Sequence, residues 1–178
     1  AVRKAAFGEH HQSYATALDN LATLLAEIGD FAGAEEASRQ ALLIRKTVLG
    51  ERHRDYINSL NNLGLLYWTR GDYNRAEPLL VQALERVKET YGDQHDNYAS
   101  GLNNLALLYE GKRDFARAEA LSQQALQLKR ALHGERHKDL AVQLQNLATL
   151  YARLGEYGRA EPFARQGMEI LKDVVGDQ

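Results

Sequence analysis

Four histidines recur at one interval: His11, His53, His95 and His137 lie 42 positions apart. Imidazole is a common zinc ligand and the usual acid–base group near neutral pH, so the column invites both readings. The spacing suits neither. Equivalent positions in stacked helical repeats stand about 9–10 Å apart, the packing distance of neighbouring helices. Zinc holds its ligands at about 2 Å, so such a row cannot converge on one ion. The adjacent His10 and His11 are the one local exception. The column therefore reads as packing or capping groups at linkers, and no metal is expected. A catalytic constellation is equally hard to assemble. Ser13, Ser38, Ser59, Ser100 and Ser122 are scattered without a paired base, and the chain has no glycine-rich phosphate loop, nucleophile elbow or cysteine. The expectation is a protein that is not an enzyme and carries no cofactor.

A second column consists of amides: Asn20, Asn62, Asn104 and Asn146, each followed by a leucine. Asparagine is a poor residue for the middle of a helix, so something must compensate. Two readings stay open. The amides can form a ladder between neighbouring repeats, or they can clamp an extended ligand, accepting from its N–H and donating to its C=O. A third column, Gln40, Gln82, Gln124 and Gln166, suggests a contact between repeats and nothing more.

The elements that position these columns follow the same period. Gly8, Gly50, Gly92, Gly134 and Gly176 mark it, as do Ala34/Ala76/Ala118/Ala160 and Glu35/Glu77/Glu119/Glu161. Within one unit the apolar residues Tyr56, Leu60, Leu63 and Tyr67 are spaced for one helix face. Gly71-Asp72 then supplies a left-handed stop and a cap for the next helix. A second stripe runs through Tyr73, Ala76, Leu80, Ala83, Leu84 and Val87 to Gly92-Asp93. Pro78 and its counterpart Pro162 fall in the opening turns of this second helix, where a missing N–H is best tolerated. Each unit is thus two antiparallel helices of roughly 14–18 residues. The small residues Ala22, Gly64, Ala106 and Ala148 let the pair approach closely.

The expected fold is an all-α solenoid of antiparallel helix pairs, a single array over 1–178. Residues 1–10 read as the tail of a preceding repeat, and repeats span 11–52, 53–94, 95–136 and 137–178. A net charge of −2 offers no footprint for nucleic acid or an anionic membrane. No apolar run approaches the ~20 residues of a membrane-spanning helix. The lack of cysteine fits a reducing compartment, so a cytoplasmic location is expected. Neither end carries the polar face of a capping repeat, which suggests a segment of a longer array. Uncapped ends would also let copies associate end to end.

Leu60, Leu63-Gly64, Tyr67, Gly71, Tyr73, Ala76, Leu80 and Ala83-Leu84 resemble the tetratricopeptide signature, and the pattern recurs in all four units. The period exceeds the usual ~34 residues, the surplus lengthening the second helix and the linker Leu49-Gly50-Glu51-Arg52-His53. The strings LNNLALLY and LGERH are similar to the long repeats of kinesin light chains. This resemblance implies a right-handed superhelix whose first helices line a concave groove that binds a peptide or helix of a protein partner. Carried over position by position, the groove takes Thr16, Asp19, Thr23, Ala26 and Glu27 from the first repeat. The second supplies Asn58, Asn61, Leu65, Trp68 and Thr69, and the third Ser100, Asn103, Leu107, Glu110 and Gly111. The fourth supplies Val142, Gln145, Thr149, Ala152 and Arg153. With the column amides Asn62 and Asn104 added, the middle of the groove is amide-rich, with Leu65, Trp68 and Leu107 as an apolar patch. Trp68 reads either as a binding anchor or as packing. Arg153 is the one cation set against Asp19, Glu27 and Glu110, so a taste for acidic ligands is not expected. Arg39, Arg45, Arg75 and Arg86 on second helices read as a solvated outer face. The alternative is a regulatory arm of a larger multidomain enzyme, contacting its own neighbouring domain.

Overall fold

The structure, a computed structural model, describes residues 12–176; the expected tail 1–10 and the His10–His11 pair lie outside them. The chain divides into two compact units, Ala1–Thr90 and Tyr91–Gln178. Among the described residues the first unit carries α1 (Gln12–Glu27), α2 (Phe31–Leu49), α3 (Arg54–Thr69) and α4 (Tyr73–Tyr91). The second carries α5 (Asp96–Gly111), α6 (Phe115–His133), α7 (Lys138–Arg153) and α8 (Tyr157–Gly176). No strand is present among the described residues. First helices are 16 residues long and second helices 19 or 20, so the second member of each pair is longer than its stripe alone suggests.

Each tight turn within a pair is built as its residues dictate. Gly71 takes φ 73°, and the carboxylate of Asp72 accepts the N–H of Arg75 at 3.2 Å. Asp30 and Asp114 cap α2 and α6 in the same way. In the third pair the left-handed position is held by Arg113 at φ 61°, the one non-glycine residue with positive φ among the described residues. The prolines depart from expectation. Pro78 stands sixth in α4 and Pro162 sixth in α8, beyond the first turn, where each removes a helical hydrogen bond.

The core is the small and branched apolar stripe: Leu60, Leu63 and Tyr67 in the first unit, Leu144, Leu147 and Tyr151 in the second. α1 packs on α2 and α2 on α3; α5 packs on α6, α6 on α7, and α7 on α8. α3 meets α4 at Gly64, where an added Cβ would come within 2.8 Å of Leu80. The glutamate column acquires a role here. Tyr67 donates to Glu35 at 2.8 Å, and the guanidinium of Arg75 lies 4.4 Å from the Tyr67 ring centre. Two periods along, Tyr151 donates to Glu119 at 2.8 Å beneath Arg159 at 4.1 Å. Burial works against both carboxylates, but the tyrosine hydrogen bond and the neighbouring arginines outweigh it and hold them below the usual range. Each staple ties one pair's second helix to the next pair's first. Of the glutamine column, Gln40 bonds Glu36 on its own helix at 2.6 Å.

Candidate functional site

A small side chain borders one hollow of the first unit. Leu80 of α4 fills the space against Gly64, but the equivalent place in α2 is Ser38, opposite Ala22. The vacated volume, about 430 Å³, is walled by Asp19, Ala22, Thr23, Ala26 and Glu27 of α1, Phe31 and Ser38 of α2, and Asn62, Leu65, Leu66 and Thr69 of α3. Of the expected groove residues, Asp19, Thr23, Ala26, Glu27, Asn62, Leu65 and Thr69 meet here. Asn58 is exposed, and Asn61 and Trp68 are half-buried; none of the three lines this hollow.

One rim carboxylate is committed elsewhere. Arg45 is buried, contrary to the expected solvated face, and its guanidinium donates to Asp19 and Ser59, with Thr16 Oγ1 and the Asp55 carbonyl each at 3.4 Å. Burial pushes the Asp19 carboxyl up, Arg45 pulls it back, and Asp55 adds to the rise. The exposed Glu27 is the carboxylate left facing solvent at the rim. A second hollow of about 630 Å³ lies among α2, α3 and α4 beside Arg39, Lys46 and Arg75. These cations are already matched, to Glu35, Glu51 and Asp72 respectively.

The second unit treats its amides differently. Asn146 donates to Asn103 at 2.9 Å, a rung of the ladder. Ser100 turns back to the Asp96 carbonyl at 3.0 Å, and Arg153 pairs with Glu110. Asn104 and Leu107 are half-buried. Gln145 and Arg153 come together with Ala148, Thr149, Ala152, Tyr157 and Ala164 around a hollow of about 590 Å³. Leu107 and the pair Leu65 and Trp68 belong to different units.

The histidine column caps helices. Nδ1 of His53, His95 and His137 accepts the N–H of Asp55, Asn97 and Asp139 at 3.1, 3.1 and 3.2 Å. His133, which spacing did not single out, joins His137 and Asp139 with potential ligand atoms within 4.8 Å of one another. Their geometry argues against a metal centre. The His133 and His137 rings stack at 4.3 Å, so their lone pairs run side by side rather than converging. Lys129 already supplies a cation there, 2.6 Å from Asp96 and 3.5 Å from Asp139, with His133 Nε2 at 2.6 Å from Asp96.

Helix pairs with these columns are what known proteins share with this chain. A family model described as tetratricopeptide repeat matches residues 29–89, 55–130 and 99–173. The chain belongs to the tetratricopeptide-repeat family. No curated protein sequence matches it. Among solved structures, the tetratricopeptide chain resembles BtubC (BKLC) from P. vanneervenii at 27% identity and TM-score 0.79, over 91% of this chain and 65% of that one. It thus spans just under two thirds of that relative's length. A single-substitution form of a Podosopora anserina kinesin light chain candidate with nearly identical TPR-like repeats matches at 20% identity and TM-score 0.81, over 97% of this chain and 82% of that one. The apo form of RapI matches at 18% identity and TM-score 0.74, over 93% and 58%. The fold is therefore shared with kinesin light chain-like repeat structures, and membership of the tetratricopeptide-repeat family supports a protein-interaction scaffold in general character. Such repeats are typically non-enzymatic. Among the described residues no helix is long and apolar enough to cross a membrane.

The carried-over positions found the first-helix walls of the hollow but not Ala22, Phe31, Ser38 or Leu66. The signal for them was present. The column Ser38, Leu80, Ser122, Ala164 varies between small and large side chains, while the facing column Ala22, Gly64, Ala106, Ala148 stays small.

Proposed function

We propose that the first unit binds an extended peptide of a partner protein and seats one bulky apolar side chain in the hollow between α1 and α3. What carries this reading is the hollow's make-up: a floor of Ala22, Ala26, Phe31, Leu65 and Leu66 under a polar rim of Thr23, Thr69 and Asn62. A volume of about 430 Å³ suits a large side chain. Asn62, exposed at the edge, has both an acceptor and donors for a peptide backbone. Among the described residues no cation lines the hollow, and Glu27 stands open to solvent at its rim. The favoured peptide therefore carries an aromatic or long aliphatic residue next to a lysine or arginine.

A displayed library of random peptides tests this directly. Selection should enrich that pairing, and Ala26→Trp, which fills the hollow from a half-buried position, should weaken selected peptides by about tenfold or more. Selected peptides that bind the Ala26→Trp form as tightly as the parent would overturn the assignment.

A further inference from the structure

The hollow between α1 and α3 is bordered by a buried hydroxyl that the protein leaves without a partner. Ser38 of α2 lines the space and is 6% exposed. Among the described residues its Oγ takes no hydrogen bond, not even to a carbonyl of its own helix. The other polar side chains around the hollow are committed or open to solvent. Thr23 donates to the Asp19 carbonyl at 3.1 Å and Thr69 to the Leu66 carbonyl at 2.8 Å. Asp19 accepts from Arg45, and Asn62 and Glu27 are exposed.

Filling the hollow makes this hydroxyl matter. With the hollow open, Ser38 Oγ keeps its access to solvent; a side chain that fills the space strips that away. Phenylalanine or leucine would leave the hydroxyl buried and unpaired, which is costly. Tyrosine presents at its tip an O–H that both donates and accepts, as serine does, whereas tryptophan carries a donor only, on the flank of its ring system. A site built to meet a hydroxyl rejects the analogue lacking it, because its own polar group is then left without a partner.

The second unit has the same column without the space. Ser122, the counterpart of Ser38 two periods on, is 4% exposed. Leu107 and Glu110 replace Thr23 and Ala26, and Glu110 pairs with Arg153 of α7, the counterpart of Thr69. The hollow at that place, about 490 Å³, keeps Phe115, the counterpart of Phe31, in its lining but does not reach Ser122.

We infer that Ser38 selects tyrosine as the side chain seated in the first hollow, the phenol oxygen exchanging a hydrogen bond with Ser38 Oγ. The inference rests on the peptide reading above and narrows its bulky residue to one. It carries a charge rule with it. A phosphate on the phenol brings about two negative charges into a space walled by Asp19 and Glu27 and, among the described residues, by no cation. The seat accepts tyrosine and excludes phosphotyrosine.

The test takes library peptides whose binding is weakened by Ala26→Trp. Each is made with tyrosine, phenylalanine or phosphotyrosine at the anchor and titrated calorimetrically onto the intact chain. Tyrosine should bind about tenfold tighter than phenylalanine. Ser38→Ala should erase that difference while helical content stays the same, and Ser122→Ala should leave it in place. Phosphotyrosine should bind more weakly than tyrosine by about tenfold or more. Equal affinity for tyrosine and phenylalanine, a difference that survives Ser38→Ala, or undiminished binding of phosphotyrosine each overturns selection by Ser38 and leaves peptide capture standing. A library with no peptide sensitive to Ala26→Trp overturns the peptide reading, and the inference falls with it.

Discussion

The two units use equivalent positions for opposite ends. Arg45 and Lys129 occupy the same column two periods apart, and both are buried cations. In the first unit Gln12 donates to Asp55 at 2.7 Å, and Arg45 reaches over to Asp19. In the second the counterpart of Gln12 is Asp96, so Lys129 is drawn between Asp96 and Asp139. The counterpart of Asp19 is then Asn103, which takes a hydrogen bond from Asn146. Three columns differ between the units, Gln12/Asp96, Asp19/Asn103 and Arg45/Lys129, and together they reassign the cation and with it the amides. The second unit bonds Asn146 to Asn103. The first leaves Asn62 exposed beside a hollow. That difference, and not the groove positions as a set, is why the first unit is the better candidate for binding.

The cations give the largest expected contrast. Arg45→Ala leaves the Asp19 carboxylate, 18% exposed, without its counter-charge, and should cost about 3–5 kcal/mol. Lys129→Ala should cost only about 1 kcal/mol, because Asp96 and Asp139 are about 40% exposed and water screens them. Urea unfolding of the two variants checks the pair; equal losses would mean that the two networks are not distinct.

The amides come next. Asn146→Ala removes the donor to half-buried Asn103 and should cost about 1–2 kcal/mol. Asn62→Ala should lie within about 0.5 kcal/mol of the parent and act instead on peptide affinity. A large stability loss at Asn62 would show that it too is a rung.

This contrast also marks how far the sequence could be read. The helices, the Gly71-Asp72 turns and the core stripe were legible because each depends on neighbours three or four residues away. The small-residue column was legible too, since Gly64 against Leu80 is a local crossing. Arg45 was not. Its burial depends on Asp19 and Ser59 arriving from helices on either side, and nothing in the spacing of α2 says so. The column histidines could be narrowed to capping or packing by distance alone. That Nδ1 accepts an N–H two residues on needed the backbone.

Acid should act with different sign on Asp19 of the first unit and on Glu119 and Asp96 of the second. In the second, Glu119 and Asp96 are held below their usual values: burial opposes this, but Tyr151 and Arg159, and Lys129 and His133, prevail. Such groups stabilise the fold above their unfolded values of 4.5 and 3.8, and that stability is lost as pH falls through their folded ones. Asp19 in the first unit is raised, so it binds its proton earlier in the fold than in the open chain. Its contribution runs the other way: present at low pH and lost as pH rises through its folded value. Thermal melts between pH 6 and pH 3 should therefore show Glu119→Gln flattening the acid loss and Asp19→Asn steepening it. The same slope in both variants would remove the distinction.

The smallest effect separates the units at their turns. The first unit turns both its pairs on glycine, Gly29 and Gly71, whereas the second uses Arg113 and Gly155. A side chain with a Cβ clashes with its own carbonyl in the left-handed region, at a cost of about 1 kcal/mol or slightly more. Arg113 is exposed at φ 61°, so the residue brings strain without burying apolar surface. Arg113→Gly should raise stability by somewhat less than that strain, because glycine also gives the unfolded chain more freedom to lose. Gly71→Ala should lower it by about 1 kcal/mol, the same geometry approached from the other side. If Arg113→Gly destabilises instead, the guanidinium makes a contact worth more than the strain, and the two turns differ in more than conformation.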